Sequence, residues 1–166
     1  MLLGAVETPE VSGAAKGAAN LFLRQGGQGV GGRIRLVIIG AAEDIVEPVE
    51  RGQIAAVLES ARADKTPAGL RDHAILQLLA TYGLRSGEIR NLRIEDIDWR
   101  TEAIHVRHHK TRASTSLPLM EPVGEAVLAY LRSGRPATDA REIFIRTRAP
   151  YRKLEKLYSL VRRRLC

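Results

Sequence analysis

Two cationic side chains, Arg85 and Lys110, stand where a short chain could grip a phosphate ester and feed it a proton. Arg85 closes the tripeptide Gly83-Leu84-Arg85. The glycine there can end one helix in the left-handed conformation, and Ser86 can cap the next. A guanidinium suits phosphate because its planar fork offers two parallel hydrogen bonds and keeps its charge. The start of the following helix adds free N–H groups and partial positive charge. Glu88, one turn on, is placed to orient the guanidinium or the local backbone. Lys110 falls in a polar, basic connection from His108 to Ser114. An ammonium beside a phosphate is suited to protonating a leaving oxygen. Arg107, His108, His109 and Arg112 surround that lysine and can touch a phosphate backbone. Taken singly, an arginine at a helix start is usually a surface residue and a hairpin lysine is usually solvated. The combination carries the argument.

The flanking pattern supplies elements to position them. Ile54, Ala55, Leu58 and Ala61 recur at helical spacing, and Pro67 with Gly69 interrupts that helix. A second helix carries Ala74, Ile75, Leu78, Leu79 and Tyr82 and stops at Gly83. A third, short one holds Ile89 and Leu92. A β-segment follows around Ile94–Ile97, then a turn at Asp98–Thr101, with Trp99 expected to plug the core. Ala103, Ile104, His105 and Val106 read as a strand, and Thr115–Leu119 as its return, with Pro118 confined to an edge. Val123, Ala126, Val127, Tyr130 and Leu131 mark another helix. Ile143–Ile145 reads as a short strand, and Leu154, Leu157, Tyr158, Val161 and Leu165 as one face of a closing helix. The fold class expected is mainly α with a small antiparallel β-sheet, α+β.

The division of charge agrees with this reading. The 166 residues carry a net charge of +7. Residues 1–50 hold 4 basic and 6 acidic side chains, while residues 51–166 hold 22 and 13, so the excess of cations lies in the half with regular periodicity. A folded basic module favours a polyanionic partner, although a merely soluble basic surface would look the same. With aromatic residues at only 4%, the core must be built from Leu, Ile, Val and Ala, and stacking platforms for single-stranded RNA are scarce. A small RNA- or ribosome-associated protein is therefore the least favoured class. The single Cys166 supports neither a disulfide framework nor a cysteine-rich metal site. His105, His108 and His109 do not make a metal site either, because adjacent residues on a strand face opposite ways. No metal or cofactor is expected. The Gly-rich run Gly26–Gly32 precedes the apolar run Ile34–Ile39 rather than following a strand, the wrong order for a nucleotide-binding loop. No secretion signal or membrane-length apolar run is evident, so a cytoplasmic home is the default.

The stretch from Arg71 to Leu119 resembles the first half of the catalytic domain of tyrosine recombinases, the phage-integrase family. The resemblance rests on Gly83-Leu84-Arg85, Glu88, Leu92, Asp96-Ile97-Asp98, Lys110 and Pro118-Leu119 in that order. It spans residues 48–165 in element order, with its motifs concentrated in 71–119. It implies double-stranded DNA as partner, and strand breakage and rejoining through a phosphotyrosine intermediate in the complete enzyme. Such enzymes assemble as oligomers on DNA. It further implies that Arg85 is the first catalytic arginine and holds the scissile phosphate. Lys110 is then the general acid that protonates the leaving 5′ oxygen, and Glu88 a supporting residue.

The family's later parts, a His-x-x-Arg pair and a late nucleophilic tyrosine, have no counterpart here. No histidine follows His109, and Tyr130, Tyr151 and Tyr158 all precede the place for that pair. No nucleophile is assigned, and the chain alone is expected to be inactive. Residues 1–47 read as a poorly ordered remnant of an N-terminal core-binding region, and 48–166 as a partial catalytic domain. A decayed mobile-element gene is the simplest origin for such a fragment. The competing function is a non-enzymatic basic DNA-binding module.

Overall fold

The computed structural model describes residues 20–25, 34–39, 51–108, 113–157, 160, 163 and 164. Strands β1 (Asn20–Gln25) and β2 (Ile34–Ile39) pair antiparallel, with Asn20 opposite Ile39. β2 matches the apolar run seen in the sequence. Both strands fall within residues 1–47, the stretch expected to be poorly ordered.

The rest is built around helix α2 (Pro67–Tyr82), which packs against α1 (Arg51–Ala63) and α4 (Glu121–Ser133). Thr66 caps α2 by accepting the Gly69 N–H at 3.0 Å, and Pro67 occupies the first turn, where its missing N–H costs nothing. Pro67 and Gly69 therefore start a helix rather than interrupt one. On α1, Ala61 is buried and Val57 and Leu58 pack partly against the core, while Ala55 is exposed. Ala74, Ile75, Leu78 and Leu79 of α2 face Val123, Ala126, Val127 and Tyr130 of α4 in one buried cluster. Tyr130 stacks on Phe144 with ring centroids 5.7 Å apart. These apolar side chains are the main source of stability, at about 1.5–3 kcal/mol for each large one removed from water.

α2 ends at Gly83, whose φ of 63° and ψ of 30° are left-handed, and whose N–H donates to the Leu79 carbonyl. Any side chain there would meet the steric cost of that conformation. The chain then turns into α3 (Ser86–Arg90), with Arg85 rather than Ser86 at the cap position. A 3-10 turn, Ile94–Asp96, replaces the first part of the expected β-segment. It leads into a three-stranded antiparallel sheet of β3 (Ile97–Asp98), β4 (Ala103–Arg107) and β5 (Ser114–Pro118) in that order. Ile104 and Val106 point inward and His105 outward, the alternation expected of a half-buried strand. Pro118 lies on the edge strand opposite Ala103, where no ladder donor is lost.

Tyr82, the last residue of α2, fixes this sheet to the helix. Its hydroxyl donates to the Pro118 carbonyl at 2.6 Å and accepts the Met120 N–H at 2.9 Å. One side chain thus ties the end of β5 to the helix that delivers Arg85.

Several expectations are corrected. Trp99 does not plug the core: it is 41% exposed in the β3–β4 turn, at the end of a sheet with no core volume to fill. Ile143–Ile145 is buried but is not a strand: Ile145 makes an isolated bridge with Lys153, and Glu142 just before the segment makes another with Arg93. The closing helix starts later than its apolar spacing suggests. Leu154 and Leu157 are buried from an irregular segment, and helical backbone appears at Leu160, Arg163 and Arg164. Tyr158, Val161 and Leu165 lie outside the described residues.

Candidate functional site

Glu88 organises the junction between α2 and α3. Its carboxylate is 8% exposed, so it must find donors inside the protein. Oε2 accepts the Arg85 backbone N–H at 2.7 Å, and Oε1 accepts the Arg85 Nη1 at 3.2 Å. The three-residue spacing of Arg85 and Glu88 makes this geometry local: the third helical residue reaches back to the cap position. One consequence differs from the sequence reading. The Arg85 N–H at the start of α3 serves the Glu88 carboxylate and is not available to a phosphate. α3 has only five residues, so its dipole adds little.

Burial pushes the Glu88 carboxyl up. The hydrogen bonds from the Arg85 N–H, from His108 and from the Arg85 guanidinium outweigh that and hold it below its usual value. The carboxylate is therefore ionised at neutral pH. The Arg85 side chain remains 47% exposed, so its charge is positioned by a buried anion yet faces solvent.

The β4–β5 hairpin meets this cluster at its base. His108 Nδ1 lies 2.8 Å from Glu88 Oε1, and its Nε2 lies 2.9 Å from Thr115 Oγ1. The His108 N–H donates to the Ala113 carbonyl at 2.9 Å, closing the hairpin just before the connection that carries Lys110. Because the buried carboxylate is ionised, Nδ1 carries the proton it donates, and Thr115 turns its hydroxyl to suit Nε2. The two segments singled out in the sequence, the Gly83–Glu88 junction and the hairpin, are thereby joined through one carboxylate. His109, Lys110 and Arg112 lie outside the described residues.

Arg107 repeats this arrangement on a carboxylate of its own. It pairs with the buried Asp96, whose other oxygen caps the 3-10 turn by accepting the Arg93 N–H at 2.9 Å. Arg107 keeps half its side chain exposed. Together with Glu88, Asn91, Arg93 and Lys153 this pair lines a polar cleft of about 240 Å³. Lys153 Nζ reaches into it to donate to Asn91 Oδ1 at 3.0 Å. Neither Thr115 nor Lys153 was marked by the sequence. Each joins through contacts 7 to 62 residues apart that no local pattern encodes.

A second ionic cluster lies at the other end of α2. Asp72 is fully buried and accepts Arg71 Nε and Nη2 at 3.1 and 2.8 Å and Arg164 Nε at 3.4 Å. Arg164 Nη2 donates to Asp64 Oδ2 at 2.6 Å. Hydrogen bonds from Thr66 and from Arg164 hold the Asp64 carboxyl down at about 2. Arg71 is itself buried and sends Nη1 to the Ile145 carbonyl at 3.4 Å.

Tyr130 is committed to the core: it is fully buried, its hydroxyl accepts the Ile145 N–H at 3.5 Å, and burial pushes its pKa up. Among the described residues no group of three or more His, Cys, Asp or Glu could hold a metal ion, and no helix is long and apolar enough to cross a membrane.

Comparison with known proteins decides the family. The profile of the phage integrase family matches residues 49–164, which contain the whole α2–α3 junction and hairpin. The chain belongs to the phage integrase family. Over 117 residues it is 84% identical to the Sinorhizobium fredii protein named "Putative integrase/recombinase y4gC", covering 70% of this chain and 61% of that protein. It is 36% identical over 89 residues to "Tyrosine recombinase XerC" of Oceanobacillus iheyensis, covering 50% of this chain and 29% of that one. Among solved structures, that of XerA recombinase superposes with a TM-score of 0.54 at 25% identity, covering 70% of this chain and 40% of that chain. This integrase-family chain thus carries the fold of a tyrosine recombinase catalytic domain, mainly helical with a small antiparallel sheet. It spans about 60% or less of the length of the relatives it matches.

Proposed function

We propose that this chain is the phosphate-gripping part of a site-specific tyrosine recombinase and that its partner is double-stranded DNA. One observation carries the reading: a half-exposed arginine is held in place by a buried, ionised carboxylate at the junction that the family motif marks. The buried anion fixes the direction of a charge that lies half in solvent. Arg85 holds the scissile phosphate, with two N–H groups of its fork directed at the non-bridging oxygens. Glu88 supports it. Lys110, carried by the hairpin that docks on Glu88, is the general acid for the leaving 5′ oxygen. Arg107, His109 and Arg112 add contacts to the DNA backbone. Residues 48–166 form the catalytic-domain portion, and residues 1–47 a remnant of the core-binding region. The complete enzyme breaks and rejoins DNA through a phosphotyrosine and works as an oligomer on DNA in the cytoplasm, in the service of a mobile element.

A second reading, a basic module that binds DNA without cutting it, is favoured by one fact. No histidine follows His109 in these 166 residues, so no His-x-x-Arg pair follows the hairpin. A nicked suicide duplex separates the two. The chain should bind it, with affinity falling as salt rises at a log–log slope of roughly −0.9 per phosphate neutralised. It should form no covalent adduct. A salt-independent or undetectable interaction overturns the DNA reading, and a covalent protein–DNA adduct overturns the claim that the isolated chain does not cleave.

A further inference from the structure

We infer that His108 is a positioning residue for Arg85, acting through Glu88, rather than a contact to DNA. The inference rests on the phosphate-gripping role proposed for Arg85.

The sequence places His108 among the basic residues around Lys110, where a phosphate contact is the natural expectation. The structure commits both of its ring nitrogens elsewhere. Nδ1 donates to Glu88 Oε1 at 2.8 Å, and Nε2 meets Thr115 Oγ1 at 2.9 Å. Its side chain is only 26% exposed, against 47% for Arg85. A histidine with both nitrogens bound inside the protein has no polar atom left for a phosphate oxygen.

What it does instead follows from the atom it touches. Glu88 Oε1 is the same oxygen that accepts Arg85 Nη1, at 3.2 Å. Glu88 Oε2 is held separately by the Arg85 N–H. The backbone bond alone would leave the carboxylate free to rotate about its terminal torsion, which has broad minima. The His108 bond fixes the second oxygen and hence the plane in which the guanidinium must lie. Thr115 in turn fixes the imidazole. The line Thr115–His108–Glu88–Arg85 therefore sets the direction of the half-exposed fork from the hairpin side. It also means that the hairpin cannot lift away from α3 without freeing the Glu88 carboxylate from His108. The dipole of an ordinary surface His would gain nothing from this arrangement. The cost of orienting three side chains is justified only if the direction of the last one matters.

The test uses the full chain and two readouts. The first needs no DNA: the side-chain N–H resonances of Arg85 in a nitrogen-resolved NMR spectrum. His108→Ala should broaden or shift them toward those of a free arginine. His108→Asn, which keeps a donor near the Nδ1 position, should restore most of the native signal. The second is affinity for a duplex at low salt in a double-mutant cycle. His108→Ala should weaken binding roughly fivefold to twentyfold, in line with loss of a hydrogen bond to a charged group. In an Arg85→Ala background the same change should cost less than about twofold, because the pair act as one unit. Native Arg85 resonances in His108→Ala, or a loss of affinity that adds in full to that of Arg85→Ala, overturns the inference. If the unmodified chain fails to bind any duplex, the DNA reading falls, and the Arg85 resonances still decide whether His108 positions the guanidinium.

Discussion

The two ends of α2 each carry an arginine beside a buried carboxylate, and they are put to opposite uses. At the N-terminal end Arg71 is 8% exposed in its side chain, and its fork is spent on Asp72 and the Ile145 carbonyl. Asp72 is shared with Arg164, which also holds Asp64, so the cluster is closed on itself. At the C-terminal end Arg85 rests on Glu88 but keeps 47% of its side chain in solvent. Exposure separates the two: one cation is consumed inside the fold and the other lies half at the surface. A buried carboxylate with several cations around it balances charge inside the fold. A buried carboxylate beside a half-exposed cation fixes the direction of a charge at the surface, which is what the proposed phosphate contact requires.

The comparison can be broken most forcefully at Asp72. Asp72→Ala leaves Arg71 buried without its anion and should destabilise the fold by about 3–5 kcal/mol, read from urea unfolding. A loss below about 1 kcal/mol would mean that the buried cluster is not a structural unit. Glu88→Gln should cost less, about 1–3 kcal/mol, because it removes the charge but keeps the shape and one acceptor. It should also weaken duplex binding in proportion more than it weakens the fold, which Asp72→Ala should not do once the folded fraction is accounted for.

Acid sharpens the contrast. The Asp64 carboxyl is depressed from 3.8 to about 2. A depressed carboxylate contributes stability above its unfolded value and loses that contribution as pH falls through the folded value. The contribution of Asp64 should therefore be complete above about pH 4 and vanish toward pH 2. Asp64→Asn should be less stable than the native chain at pH 6, with the gap closing below pH 4. Equal acid profiles for the two proteins would contradict the pairing with Arg164. The smallest effect on stability belongs to Arg85→Ala, at less than about 1 kcal/mol, since exposed pairs are worth little. A larger loss would place Arg85 with Arg71 as a structural cation.

The parts of this design that were legible in the sequence are those set by short range. Gly83 announces the end of α2, and Glu88 one turn past Arg85 announces a partner for the guanidinium, although the cap itself falls on Arg85 and not on Ser86. The hairpin was legible from its alternation and from Pro118. The link between these two regions was not. It depends on the β4–β5 register that sets Thr115 beside His108, and on Tyr82 pinning Pro118, neither of which has a local signature. The sequence marks His108 as a backbone contact because basic neighbours outnumber every other cue in that segment, and no local pattern signals its contacts with Glu88 and Thr115. Arg71 and Asp72 carried no signal for the same reason. Their partner Arg164 is 92 residues away from Asp72, and a polar pair on a helix normally reads as its wet face. Trp99 was misjudged in the other direction, a large apolar side chain assigned to a core that does not extend to that turn.

If Arg85 grips one phosphate, as proposed, duplexes in which single phosphates are replaced, one at a time, by neutral methylphosphonates will reveal it. The unmodified chain should lose about tenfold in affinity at one position, the order expected for a charge-assisted contact, and Arg85→Ala should be indifferent to neutralisation there while responding normally elsewhere. If Arg85→Ala and the unmodified chain respond alike at every position, Arg85 touches no phosphate.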